Sequence, residues 1–430
     1  MDRLEHALCG FLGHRADTGQ RLEHALASDP QLVPALCMQG FAYKCLARRD
    51  FESEAWSKLH AARQALAARG GSDREHGLAN ALELWCLHDP LGAARALAQI
   101  LRAHPRDVLA FKMHHALNFM LGRSNAMRAA SEATLGAWHP SVPSYGYVLG
   151  CHAFALEETG ALTEAEIIGR RAVECEPLDA WGAHAVAHVF ETQDRPEQGL
   201  AWMDQVEPAL AGCNNFAGHL AWHRSLFLVQ RGELDAALKL YDAKIAVHVG
   251  RDYRDVCNGS SLLWRLEQEG CAVGDRWERL AELARARLGD HSLGFADAHY
   301  VLALAAAGDL GAAARFVTSM RTQAREHDDF NARVTAEVAV PVSEGIVALA
   351  ARRSVEAART LLPVSGACLR LGGSNAQRDI FALLLLEAAL QGDQTQLARS
   401  LLASRLSARP HNGWAHKRLD RLKRNRLRAA

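Results

Sequence analysis

Two pairs of histidines, His184/His188 and His219/His223, are each spaced four residues apart, in the stretches DAWGAHAVAHVFE (179–191) and GHLAWHRSLF (218–227). On a helix that spacing stacks both imidazoles of a pair on one face, a turn apart. Glu191, three residues past His188, extends the first pair into a polar stripe on an otherwise apolar helix. Three chemistries suit such a stripe. Neutral imidazole is the commonest transition-metal ligand, so His184, His188, His219 and His223 form a candidate set for a divalent transition metal. The HExxH arrangement of zinc peptidases is absent, because residues 185–187 read Ala-Val-Ala. A histidine oriented by a carboxylate in a partly buried groove would instead serve acid–base catalysis. The plainer alternative has the imidazoles hydrogen-bonding between neighbouring helices, lining a groove that grips a polypeptide or a small polar ligand.

Other polar residues fall in comparable places. Asp297 and His299 lie in FADAHY, and Trp222 stands between His219 and His223. The loop LGGSNAQRD (371–379) carries an S-x-x-Q capping box, Ser374 to Gln377, which opens a helix. Capping leaves Asn375, Arg378 and Asp379 without a role. A helix N-terminus beside an arginine can receive a carboxylate or phosphate, and a salt-bridged brace between repeats is the alternative. The glycine spacing and lysine of a P-loop are missing. Cys151 adjoins His152, but adjacent helical side chains diverge by about 100°, which argues against a dyad.

What positions these groups is a repeat. In residues 146–179, small residues fall at Ala153, Ala165 and Ala172, large apolar ones at Leu149 and Leu156, and proline at Pro177. This is the tetratricopeptide pattern of two antiparallel helices with small residues where the backbones approach. Residues 74–107 and 180–213 follow it too. Elsewhere the register degrades while the helix–turn–helix rhythm persists, with turn signals at Gly122, Gly232, Gly308 and Gly392. The expected fold is all-α: a single solenoid over 1–430, each hairpin burying its apolar face against its neighbours, closed by a basic terminal helix at 417–430. In this register the first helix of each pair lines the concave side. Trp181, His184, His188 and Glu191 then fall on groove-facing positions.

Composition sets the outer bounds. Lys+Arg and Asp+Glu balance at 49 each, so no global field recruits nucleic acid or an anionic membrane, and an RNA-binding solenoid is disfavoured. The ten cysteines are scattered without a CxxC pair, which fits reduced thiols in an intracellular compartment. No apolar run suits a signal sequence or a membrane span, so a cytoplasmic location is expected.

The blocks DAWGAHAVAHVFE, GHLAWHRSLFLVQRGELDAALKLYD, FADAHY and LGGSNAQRD resemble the family of tetratricopeptide repeat protein 38. Matched positions are Asp179–Trp181, His184 and His188; His219, Trp222 and His223; Asp297–His299; and Gly372–Asp379. The resemblance implies a cytoplasmic helical-repeat protein and brings no established reaction or cofactor. The expectation is therefore a scaffold holding a peptide, protein or small polar ligand, compatible with homo-oligomerisation. Its contacts would be His184, His188, Glu191, His219, Trp222, His223, Asp297, His299, Asn375, Arg378 and Asp379. An enzyme, metal-dependent or not, using the same residues is the alternative.

Overall fold

The computed structural model describes residues 3–429 apart from 249 and 251. Among them the structure is helical, and the one extended pairing is an isolated bridge between Arg15 and Cys213. The expected all-α solenoid of helical hairpins is what the chain forms. Residues 74–107 become helices Asp73–Cys86 and Pro90–Ala103, and 146–179 become Tyr145–Glu158 and Leu162–Cys175. The unit 180–213 becomes Ala180–Thr192 and Pro196–Val206.

Local chemistry explains where these helices start and why they pack. Ser72 and Glu75 form a reciprocal capping box, and the side chains of Asp89, Asp107 and Asp309 accept from the first-turn amides of Gly92, Ala110 and Ala312. Ala153, Ala165 and Ala172 are fully buried, as expected of positions where paired helices meet. Gly169 allows a close approach: a Cβ there would stand 2.6 Å from a Val186 methyl. The turn before it needs a left-handed residue, which Gly160 supplies at φ 85°.

The chain divides into two compact units. The first comprises 1–189, 203–217 and 328–333, and the second 190–202, 218–327 and 334–430. In the first, the N-terminal hairpin (Arg3–Leu12 and Thr18–Ser28) is tied to residues 212–216. The amide of Asn214 donates to His14 O at 2.7 Å, and that of Ala16 to Gly212 O at 3.0 Å. His14 stacks on Phe216, centroids 4.5 Å apart. In the second, the last helix, Gly413–Ala429, is tied to Tyr253–Gln268. Arg418 donates to Glu269 and to Gln268 O, both at 2.9 Å, and lies over the Trp414 ring. The first cations of the basic terminal segment are thus committed to intramolecular contacts. No helix among the described residues is long and apolar enough to cross a membrane.

Candidate functional site

In the first unit, helices Val108–Met120, Tyr145–Glu158 and Ala180–Thr192 gather a buried polar cluster inside aromatic walls. His188 Nε2 lies 2.8 Å from His184 Nε2, and His188 Nδ1 lies 3.2 Å from Glu157 Oε2. A carboxylate can only accept, so His188 donates from Nδ1 to Glu157 and accepts at Nε2 from the Nε2–H of His184. Glu157, Glu158 and His188 each offer a ligand atom within 4.8 Å of the others. Phe154 stacks on His184 and meets His188 edge-on, both at 5.4 Å, while Trp181 and Phe216 flank His184 at 5.1 and 5.3 Å. His115 shares the Phe154 and Trp181 walls. It is buried, neither of its ring nitrogens has a hydrogen-bond partner among the described residues, and burial drives its pKa well below the ordinary value.

Beside this cluster sits a second buried charge arrangement. Lys112 Nζ lies 4.5 Å over the Trp181 ring and 3.8 Å from Cys151 Sγ. Asp179, just before the helix Ala180–Thr192, is raised to about 7. Burial is the main cause, opposed by the Gly182 amide and by Lys112. A carboxyl with a raised folded-state pKa holds its proton in the native chain between its ordinary value near 4 and about 7. Stability should therefore fall as pH rises across that window and level off above it. Asp179→Asn is expected to flatten this slope in denaturant titrations at pH 5, 6, 7 and 8, and an unchanged slope would refute the assignment.

In the second unit, helices Phe216–Arg231 and Tyr253–Gln268 hold the other histidine pair. His219 Nδ1 is 3.0 Å from Asn258 Oδ1 and His223 Nδ1 is 3.1 Å from Glu191 Oε2. The two imidazoles meet edge-on at 4.8 Å, with Trp222 stacked on His219 at 5.3 Å. Asp297 does not serve His299. It sits 3.3 Å from His291 Nδ1, whose Nε2 is 2.8 Å from Ser319 Oγ. Ser319 of this Ser–His–Asp chain lies in the middle of the helix Leu310–Glu326, where the surrounding amides are used within the helix. The three side chains link the loop before Gly294–Ala306, that helix and Leu310–Glu326. His299 is a packing residue: its Nδ1 lies 2.8 Å from Phe295 O, its ring packs on Phe295 and Phe381, and burial lowers it to about 4.

The 371–379 loop behaves as a cap and a brace. Ser374 and Gln377 complete the reciprocal capping box. Arg378 turns back on its own loop, donating to Asn375 Oδ1 at 2.7 Å and to Gly373 O. Asp379 takes a two-point contact from Arg405, at 2.6 and 3.0 Å, with Arg265 Nη2 at 3.6 Å. Around this trio lies a cavity of about 180 Å³ whose lining includes Asp194, Arg265, Asp379, Arg405, Arg409 and Trp414.

Sequence position put Trp181, His184, His188 and Glu191 on an open groove wall. Their exposures are 7, 1, 0 and 3%, so that expectation is corrected. For the first-unit residues, the bulky rings of Phe154, Trp181 and Phe216, with His14 stacked over the last two, take the space a groove would need. Sequence reasoning also missed several residues. Glu157 and Glu158 are positions 12 and 13 of the 146–179 repeat, so the register used for Glu191 would have found them. Lys112 in the first unit and Arg265, Arg405 and Arg409 in the second carry no such signal; only the packing of helices distant in sequence brings Lys112 to Trp181 and gathers the three arginines at one cavity.

No family model matches the chain. Among solved structures it is similar to the APC/C hetero-tetramer Cut9–Hcn1, at 12% identity and TM-score 0.44, covering 94% of this chain and 72% of that one. It is also similar to yeast Tom70, at 13% and 0.38, covering 99% and 87%. A third is Naa15/Naa10 bound to HypK-THB, at 10% and 0.27, covering 99% and 81%. None of these likenesses is close enough to bear on function.

Proposed function

We propose that this chain is a cytoplasmic scaffold of the tetratricopeptide type, as its resemblance to the tetratricopeptide repeat protein 38 family implies. Its second unit would hold the carboxylate of a peptide terminus or small polar ligand in the cavity beside Asp379. One observation carries the reading: three guanidinium groups, Arg265, Arg405 and Arg409, converge on one cavity wall, among the carboxylates of Glu191, Asp194, Glu269 and Asp379. Arg405 is committed to Asp379. Arg265 donates through Nη1 to Ser261 O at 3.1 Å, while its buried Nη2, 3.6 Å from Asp379, has no hydrogen-bond partner among the described residues. Arg409 reaches Glu191 only at 4.0 Å. Asp194, also in the wall, is pushed upward by burial, opposed by the Asn412 hydrogen bond and by Arg409 and Arg405. A planar guanidinium fork matches a carboxylate in two-point geometry, and Trp414 offers an apolar wall.

The test compares immobilised peptide pools ending in a free carboxylate with the same pools amidated. The expected result is selective retention by the free-acid pool, with binding weakened at least tenfold (about 1.4 kcal/mol) in Arg409→Ala. Equal retention of acid and amide pools would defeat the proposal.

A further inference from the structure

The two histidine pairs share a feature that packing alone does not require. In three of the four rings the same atom, Nδ1, is engaged by an outer side chain: His188 by Glu157, His219 by Asn258 and His223 by Glu191. An amide oxygen or a carboxylate accepts, so each of these rings carries its proton on Nδ1 and presents a lone pair at Nε2. That is the tautomer a metal ligand needs, and a carboxylate or amide behind Nδ1 is how metal-bound histidines are held and made more basic. The fourth ring, His184, brings its Nε2 to 2.8 Å from that of His188.

We propose that each pair, His184/His188 in the first unit and His219/His223 in the second, is a ligand pair for a borderline divalent transition metal such as zinc or iron(II), coordinated through Nε2, with Glu157 positioning the first and Glu191 and Asn258 the second. The 2.8 Å separation in the first pair is a hydrogen bond when the ion is absent. Two nitrogens at about 2.05 Å from a tetrahedral ion stand about 3.3 Å apart, so loading asks the rings to part by about half an ångström. The proton on His184 Nε2 moves to its Nδ1 as the metal takes its place. Glu157 and Glu158 put two buried carboxyl groups beside His188, which offsets part of the ion's charge in an apolar surround. Imidazole donors favour zinc, iron, nickel or copper over magnesium and calcium, which take oxygen ligands. With every donor 4% exposed or less, the ion enters as the chain folds and leaves slowly. This inference does not rest on the cavity near Asp379: the peptide experiment and the metal experiment read different residues and can fail separately.

The full-length protein, purified without chelator, is analysed by plasma mass spectrometry, and is also unfolded with chelator and refolded in the presence of Co²⁺. One or two equivalents of metal per chain are expected, together with visible Co²⁺ ligand-field bands abolished by excess Zn²⁺. His184→Ala/His188→Ala and His219→Ala/His223→Ala should each lose metal. Because these variants can misfold, Glu157→Gln and Glu191→Gln provide the decisive reading. They keep the side-chain size, and as positioning residues they should weaken Co²⁺ binding about 10–100-fold. Metal below about a tenth of an equivalent, with no Co²⁺ bands after reconstitution, overturns the inference. So does metal that persists unchanged in folded His184→Ala/His188→Ala and His219→Ala/His223→Ala proteins.

Discussion

Phe154→Ala is expected to lower unfolding stability by about 3–5 kcal/mol, the usual cost of deleting a buried aromatic ring and leaving a cavity. Phe154 is fully buried, with its ring 4.7 Å from Trp181, 5.6 Å from Phe119 and 5.7 Å from His115, besides its contacts with His184 and His188. Its neighbours come from two other helices, Val108–Met120 and Ala180–Thr192, so relaxation into the void would require both to move. The denaturant midpoint should fall, and Phe154→Leu, which keeps part of the volume, should lose less. A loss below about 1 kcal/mol for the alanine variant would show that the surrounding rings close the gap unaided. Because Phe154 also fixes His184, the same variant should weaken any metal binding by the first pair.

Asp379→Asn carries the next largest expected effect, about 3 kcal/mol, the lower end for breaking a largely buried ion pair. Burial by itself would raise the Asp379 carboxyl. The guanidinium groups of Arg405, Arg409 and Arg265 outweigh that and hold it far below the usual range. A depressed folded-state pKa contributes stability that is complete above the ordinary carboxylate value near 4 and is lost as pH falls toward the folded-state value. The wild-type chain should therefore show a steeper acid-side loss below about pH 4 than the asparagine variant. Urea titrations at pH 3, 4 and 7 measure this, and parallel curves for the two proteins would refute it. At pH 7 the variant leaves the Arg405 fork without its acceptor, so its deficit should be largest there.

The fold was legible because its signals are local. Alanines recurring at helical spacing, prolines after second helices and side-chain caps such as Ser72 and Ser374 act within a few residues, and each did what its chemistry dictates. The candidate residues were legible only in part. His184 and His188 were recognisable as a pair because helix geometry alone fixes their relation. Glu157 was not, because its meeting with His188 spans 31 positions. Asp297 and His299 stand two residues apart in FADAHY, yet Asp297 turns to His291 in the preceding loop. A residue two positions along a helix points to a different face, so nearness in sequence was the wrong guide.

By itself, then, the sequence determined the helical hairpins, the stacked imidazole pairs and the cap at Ser374, since each follows from periodicity and hydrogen bonding along one stretch of chain. The tertiary structure decided that these imidazoles are enclosed rather than open to solvent. It also decided that Arg265 and Arg405 converge on Asp379 and which nitrogen of each histidine faces a carboxylate or amide. Burial and pairing depend on side chains brought in by other helices, and helical periodicity says which face a residue occupies without saying what will cover it.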